Sequence, residues 1–307
     1  MSLAALHVEA FSAIPGAGNG AAVVRLQAAA DDGWLQAVAA SLRQSETAFL
    51  LGDGERWRLR WFTPSCEVPL CGHATLAALL ALGHWGLVVP DQPLELHTRS
   101  GALPVRLLAP PAGDRPGFGA ITLPAGSLQA AAVPASLEAL LQRRLATPAE
   151  GFWHSTLGYA VVLLPPTADL ANLAGLAMEL PAALAHGLVA MQPLAAGGAA
   201  PQVAGEPADY QLRFFAPGLG IPEDPVTGSA HALVAPWWME RLGRSRVVGW
   251  QCSDRPGGMV CEAASSATIR LIGSGCLLWH GTLLARPAPC AVGSPASAAW
   301  QSLLCAD

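Results

Sequence analysis

The chain has 307 residues, 52% of them hydrophobic and only 13% charged, with a formal net charge of −5. Such a length and composition suit two domains of roughly 150 residues each around a large core, and exclude a disordered chain. All 17 basic residues are arginines and they are scattered, so no basic stripe marks a nucleic-acid or anionic-membrane partner.

The sequence contains no lysine. Pyridoxal-phosphate enzymes, Schiff-base aldolases and P-loop nucleotide enzymes all need a lysine amine, so these three classes are excluded. Seven cysteines (66, 71, 252, 261, 276, 290 and 305) are odd in number, with no CxxC and no zinc-ligand spacing, and the eight histidines are dispersed. They read as reduced, mostly buried thiols of a cytoplasmic protein, with no metal site. No charged segment followed by an apolar stretch opens the chain, so no signal peptide is expected. The most apolar run, 74–90, is broken by Gly83, His84 and Gly86 and is too short to span a bilayer.

In chain order, 6–11 reads as a strand, followed by the turn Pro15 to Gly20 and a second strand over 21–26. Asp31 and Asp32 are N-cap candidates for an amphipathic helix through Arg43. Strands are expected over 47–51 and 56–62 around the turn Gly52-Asp53-Gly54, then a loop over 64–70 and a buried helix over 74–82. The Pro/Gly-rich stretch 110–119 is the best domain linker, and 194–205 reads as an exposed loop. Domains are therefore expected over 1–112, with 285–307 a candidate to complete the first, and over 118–284.

One segment occurs twice. Leu59-Arg60-Trp61-Phe62-Thr63-Pro64 returns as Leu212-Arg213-Phe214-Phe215-Ala216-Pro217, and each copy leads through a Pro-containing loop to a glycine before an apolar helix. The junctions are Cys71-Gly72-His73-Ala74 and Thr227-Gly228-Ser229-Ala230. Two copies spaced by half the chain point to two similar domains related by a pseudo-twofold axis. Each junction should present unpaired N–H groups at a helix start, which bind carboxylate or phosphate without lysine or arginine.

Four segments resemble the PhzF-like (phenazine biosynthesis) family, whose fold is that of diaminopimelate epimerase: Val8 to Phe11 with Gly18-Asn19 and Ala21 to Val24; Ser45 to Leu50; Arg60 to Thr75; and Glu223 to His231. Two looser matches are Gln251 to Gly258 and a strand pair over 269–281. The resemblance implies an α/β (α+β) fold of two domains, each a curled sheet around a central helix, with the site in the cleft between them. It also implies a homodimer, no cofactor and a small carboxylate-bearing substrate of the dihydro-3-hydroxyanthranilate type or another metabolite. The segment after Arg286 is longer than the family usually carries.

By position alone Glu46 is an ordinary glutamate after a helix; the resemblance makes it the catalytic acid/base. Burial is expected to raise its pKa toward neutrality. His73 and Asp224 inherit hydrogen-bonding or proton-relay roles, and Gly72, Gly228 and Ser229 inherit donation to the substrate carboxylate. His231 reads as structural. Cys71 stands where more distant racemases of this fold carry one of two catalytic thiols. The matching place in the second copy is Pro225, so a two-thiol racemisation is disfavoured and Cys71 reads as a small buried residue near the substrate. Direct pairing of Cys71 with His73 is not expected, because one glycine separates them at a helix start. An amino-acid epimerase or racemase of the same fold, and a non-catalytic metabolite binder, are the rival readings.

Overall fold

The computed structural model describes residues 2–52, 54, 56–109, 117–194, 199–288 and 293–304. The chain divides into two compact units, unit 1 of Met1–Thr122 with Ile272–Asp307 and unit 2 of Leu123–Leu271. Unit 1 opens with β1 (Leu3–Ala10), β2 (Asn19–Leu26), α1 (Asp32–Leu42), β3 (Glu46–Gly52) and β4 (Trp57–Phe62). It continues through β5 (Glu67–Val68), α2 (Gly72–His84), β6 (Leu94–Thr98), β7 (Gly101–Leu108) and β8 (Gly117–Pro124). Unit 2 holds β9 (Leu128–Ala130), α3 (Ala135–Leu145), β10 (Gly151–Ser155), β11 (Ala160–Leu163) and β12 (Leu188–Pro193). The hairpin β13 (Gln202–Val203) and β14 (Glu206–Pro207) precedes β15 (Tyr210–Ala216), β16 (Ile221–Asp224), α4 (Gly228–Leu242), β17 (Arg246–Gln251) and β18 (Gly257–Ala263). Strand β19 (Thr268–Leu283) begins in unit 2 and ends in unit 1, where α5 (Pro295–Ser302) follows.

In unit 1, β1 pairs antiparallel with both β2 and β19. Strands β2 and β3 run parallel, joined by the α1 crossover. Such a pair cannot be closed by a tight turn, which is why a helix intervenes. Asp31 caps α1 by accepting from the Trp34 N–H, and Arg43 ends it in the left-handed region. Strand β4 lies antiparallel to β3 and parallel to β6, and β6, β7 and β8 form a meander. Helix α2 packs on β1, β2, β3 and also β7. A sheet that touches one helix from both of its ends must curl around it. The sequence permits this because 73–82 is buried without interruption, and a helix apolar on every side belongs inside a core.

Unit 2 repeats part of this order. Strand β15 is antiparallel to β12 and parallel to β17, and β16 folds back on β15 before α4. In unit 1, β4, β5, α2 and β6 have the same relation. The duplicated sequence thus codes a duplicated motif: strand, short antiparallel return, helix beginning at glycine, parallel strand. Each copy is clamped alike. The Arg60 Nε and Nη2 donate to the two Glu67 carboxylate oxygens at 2.7 and 2.8 Å. Those of Arg213 donate to Glu223 at 2.7 and 2.6 Å. Each guanidinium also lies over the phenylalanine two residues on, Phe62 or Phe215, at 5.2 and 5.5 Å. A bidentate fork fixes direction as well as distance, so each clamp sets the path of the return into its helix.

Several local expectations need correction. The loop 64–70 contains β5, because the Glu67 clamp holds it against β4. Within 194–205, Gln202 and Val203 are strand, paired with Glu206 and Pro207. Of the linker 110–119, residues 110–116 lie outside the described residues, and Gly117 to Gly119 begin β8. Asp53 of the Gly52-Asp53-Gly54 turn also lies outside them. The strand pair over 269–281 is one strand, β19. Gly275 there does not turn the chain but admits a neighbour: a Cβ on it would sit 2.4 Å from Leu80 Cδ1 of α2. Of the five cysteines described, only Cys71 and Cys261 are buried, and Cys66 is exposed.

Candidate active site

The parallel pairing of β2 with β3 sets Ala21 opposite Glu46. It therefore brings the two strand starts, Asn19-Gly20 and Ser45-Glu46, side by side. The preceding turn is held by Glu9, whose carboxylate accepts from the Gly16 N–H at 2.6 Å. Gly18 is required within it, since its φ is +77° and a Cβ would lie 2.5 Å from the Ala10 carbonyl oxygen. Packing of α2 on β2 and β3 brings the first turn of that helix to the same place.

His73 is the hub. Its Nε2 lies 3.0 Å from Glu46 Oε2 and 3.0 Å from Ser45 Oγ, while its Nδ1 lies 3.2 Å from Asn19 Nδ2 and 3.5 Å from Cys71 Sγ. Ser45 Oγ in turn donates to the Gly20 carbonyl at 2.9 Å. With that hydroxyl proton committed, Ser45 receives from His73 Nε2–H, and Glu46 Oε2 stands beside the same nitrogen as an ion-pair contact. Glu46, His73 and Cys71 are all more than nine-tenths buried. Cys71 and His73 do meet, against the sequence expectation. Cys71 is the N-cap of α2, with extended φ and ψ of −146° and 111°, so its side chain is not bound by helical spacing.

The electrostatics reverse another expectation. Burial alone pushes the Glu46 carboxyl up, but the charge of His73 and hydrogen bonds from His73, Ser45 and Cys71 outweigh it, and the carboxyl lies below its ordinary 4.5. Burial pushes His73 down, yet the charges of Cys71 and Glu46 and hydrogen bonds to both hold it well above 6.5. Burial, then the Glu46 charge, lifts the Cys71 thiol to about 11, with His73 opposing. A thiol of that pKa is neutral at pH 7, so at that pH the Glu46 charge and its contact with Nε2 are what remain to favour the protonated ring. A second proton on Nδ1 then requires the Asn19 amide to present its oxygen rather than its nitrogen.

The unit 2 residues form their own network. Asp224 ends β16 and is buried; its Oδ2 accepts from Thr227 Oγ1 at 2.6 Å. Gln251 accepts from the Thr227 N–H at 2.8 Å and donates to the Asp224 carbonyl at 2.6 Å. Thr227 is the N-cap of α4, and Gly228 and Ser229 follow it. Ser229 Oγ lies 3.4 Å from the Tyr159 hydroxyl. His231 is fully buried against the Tyr210 hydroxyl at 2.9 Å, and burial pushes it down to about 3, so it is neutral. Asn19, Ser45, Thr227 and Gln251 were not singled out as site residues. The signal for the first two was their place beside the Gly-Asn turn and Glu46; for Thr227 it was its place before Gly228 in the repeated junction, and for Gln251 the looser match over Gln251 to Gly258.

Among the described residues no helix is long and apolar enough to cross a membrane. The fold is a mixed α/β one. A probable proline racemase from Agrobacterium radiobacter superposes with a TM-score of 0.57 at 12% identity, over 96% of this chain and 95% of that one, which shows the fold alone. A PhzF-family phenazine biosynthesis protein from Enterococcus faecalis superposes with a TM-score of 0.75 at 27% identity, over 93% and 100%. Residues 8–281 match the phenazine biosynthesis-like protein family, PhzC/PhzF, and the chain belongs to it. An uncharacterized isomerase of Pseudomonas aeruginosa is 37% identical over 92% of this chain and 99% of its own length. The human phenazine biosynthesis-like domain-containing protein is 30% identical over 93% and 100%.

Proposed function

We propose that the chain is an isomerase that moves a proton on a small carboxylate-bearing substrate, with Glu46 as the acid/base and without a cofactor. The observation that carries the reading is the buried contact of Glu46 with His73 at 3.0 Å, framed by Ser45 and Asn19. A carboxylate kept ionised by a protonated histidine beside it is available to accept a proton at neutral pH. Glu46 takes the proton from a carbon next to a carbonyl or unsaturated system, and returns it from the same oxygen to another carbon. His73 holds the carboxylate in place through the Nε2 contact, and the proton stays on Glu46 between its two carbon positions. Gly72 and Cys71 at the start of α2, and Gly228 and Ser229 at the start of α4, are assigned to substrate binding through helix-start N–H donors for a carboxylate. Asp224 is assigned to hydrogen bonding or proton relay. The substrate class is dihydro-3-hydroxyanthranilate or a related cyclic or amino acid, and the working form is a homodimer.

A panel of such acids incubated in heavy water, with deuterium uptake at carbon followed by NMR, tests the reading. Uptake and conversion to a positional isomer support it. Ligand-induced stabilisation with no exchange across the panel would make the protein a metabolite binder instead. A second reading, epimerisation at one carbon, draws on the contact of Cys71 Sγ with His73 Nδ1 at 3.5 Å, which offers a second proton carrier. Inversion of configuration without a positional shift would favour it.

A further inference from the structure

Glu46, its partner His73 and the neighbouring Cys71 are also a donor set of another kind. One carboxylate oxygen of Glu46, one ring nitrogen of His73 and the Cys71 sulfur lie within 4.8 Å of one another, all three residues buried. We propose that Glu46, Cys71 and His73 form a binding site for a thiophilic divalent cation of the Zn²⁺ class, and that the cation and the proton-transfer chemistry exclude one another.

The distances favour this reading. Zn²⁺ binds thiolate at about 2.3 Å and imidazole or carboxylate at about 2.0–2.2 Å, so neighbouring ligands of a tetrahedral ion stand roughly 3.3–3.8 Å apart. His73 Nε2 is 3.0 Å from Glu46 Oε2 and 3.9 Å from Cys71 Sγ, so shifts of a few tenths of an ångström fit both edges to one ion. One sulfur, one nitrogen and one oxygen suit zinc or cadmium and suit magnesium or calcium poorly, because the latter take oxygen ligands. The outer partners suit a metal too. With Nε2 on the ion, Nδ1 keeps its proton, and the Asn19 amide at 3.2 Å can turn its oxygen to receive it. On binding, the Cys71 thiol and the His73 Nε2–H each release a proton to solvent, and no oxidation occurs. Glu46 then has its lone pair on the cation and can no longer act as a base.

This inference rests on the same side chains as the proposed function, but its test needs no substrate. Cd²⁺ titrated into the full-length protein should develop the ultraviolet thiolate-to-cadmium charge-transfer band at one equivalent. Cys71→Ser should lose the band, Glu46→Gln should keep it with weaker binding, and Cys66→Ser, at an exposed cysteine, should leave it unchanged. Circular dichroism establishes that each variant is folded. No band in the wild type, or a band that persists undiminished in folded Cys71→Ser, would overturn the site. Cadmium binding by a protein that exchanges no carbon-bound proton would leave the metal site standing while the proposed function failed.

Discussion

Trp300 lies in α5, beyond the segment that matches the family, yet it is fully buried in unit 1. Its Nε1 donates to the Ala30 carbonyl at 3.1 Å, and the Arg60 guanidinium carbon sits 5.3 Å from its ring centroid. It packs with Leu35, Val38, Ala39, Phe62 and Leu303 in one cluster. Replacing a buried aromatic by alanine costs about 3–5 kcal/mol, a figure that already includes the lost hydrogen bond and ring contact. A domain holds only about 5–15 kcal/mol in total. At roughly 2–4 °C per kcal/mol, Trp300→Ala should lower the calorimetric midpoint of unit 1 by about 6–20 °C. Trp300→Phe keeps an aromatic face over Arg60 and forfeits mainly the indole N–H bond, so it should cost about 1–2 kcal/mol. Scanning calorimetry of the full chain, with urea unfolding as a check, reads both. A Trp300→Ala protein whose stability stays within about 0.5 kcal/mol of wild type, as for an ordinary surface change, would refute the docking of α5 onto this core.

Three other outcomes follow from the same reasoning. Arg213→Lys keeps the charge but removes the fork that holds Glu223, and should cost about 1.5–3 kcal/mol by urea denaturation, whereas Arg270→Lys on the surface should cost under about 0.5 kcal/mol. For pH, Glu46 is depressed in the fold, so its contribution exists above about 4.5 and is lost as pH falls through its lower folded value. His73 is raised, so its contribution is full below about 6.5 and fades as pH rises through its higher folded value. The difference in stability between wild type and His73→Gln should therefore peak between about pH 4.5 and 6.5; a difference that is flat from pH 4 to 9 would contradict the ion pair. Gly249→Ala should destabilise unit 2 by about 1–3 kcal/mol in thermal melts, because the added Cβ would lie 2.3 Å from His231 Nδ1 and 2.5 Å from the Tyr210 hydroxyl.

Much of this architecture is written in local signals. The Asp31 cap, the uninterrupted burial of α2 and the repeat at Arg60 and Arg213 are each read from neighbouring residues. The clamps to Glu67 and Glu223 are less legible, since their spacings of seven and ten residues have no period in common. The docking of Trp300 against Ala30 joins positions 270 residues apart and leaves no pattern in either segment. Glu46 and His73 were identifiable as site residues only through resemblance. Their pairing depends on β2, β3 and α2 meeting at one end, which is a tertiary fact. The same fact explains why the sign of the Glu46 shift was misjudged: burial can be guessed from sequence, but the histidine that overrules it cannot. Cys71 shows the limit from the other side. Helical spacing separates it from His73, and only its extended backbone lets the two side chains touch.

The central claim is that the Glu46 carboxylate carries the proton. It is tested most directly by comparing deuterium uptake at carbon in wild type and Glu46→Gln, using whichever carboxylic acid of the panel responds. The amide is nearly the same size but cannot accept the proton, so the exchange rate should fall by about 10²–10⁴-fold with the fold intact. Exchange in Glu46→Gln within tenfold of wild type would show that another group moves the proton.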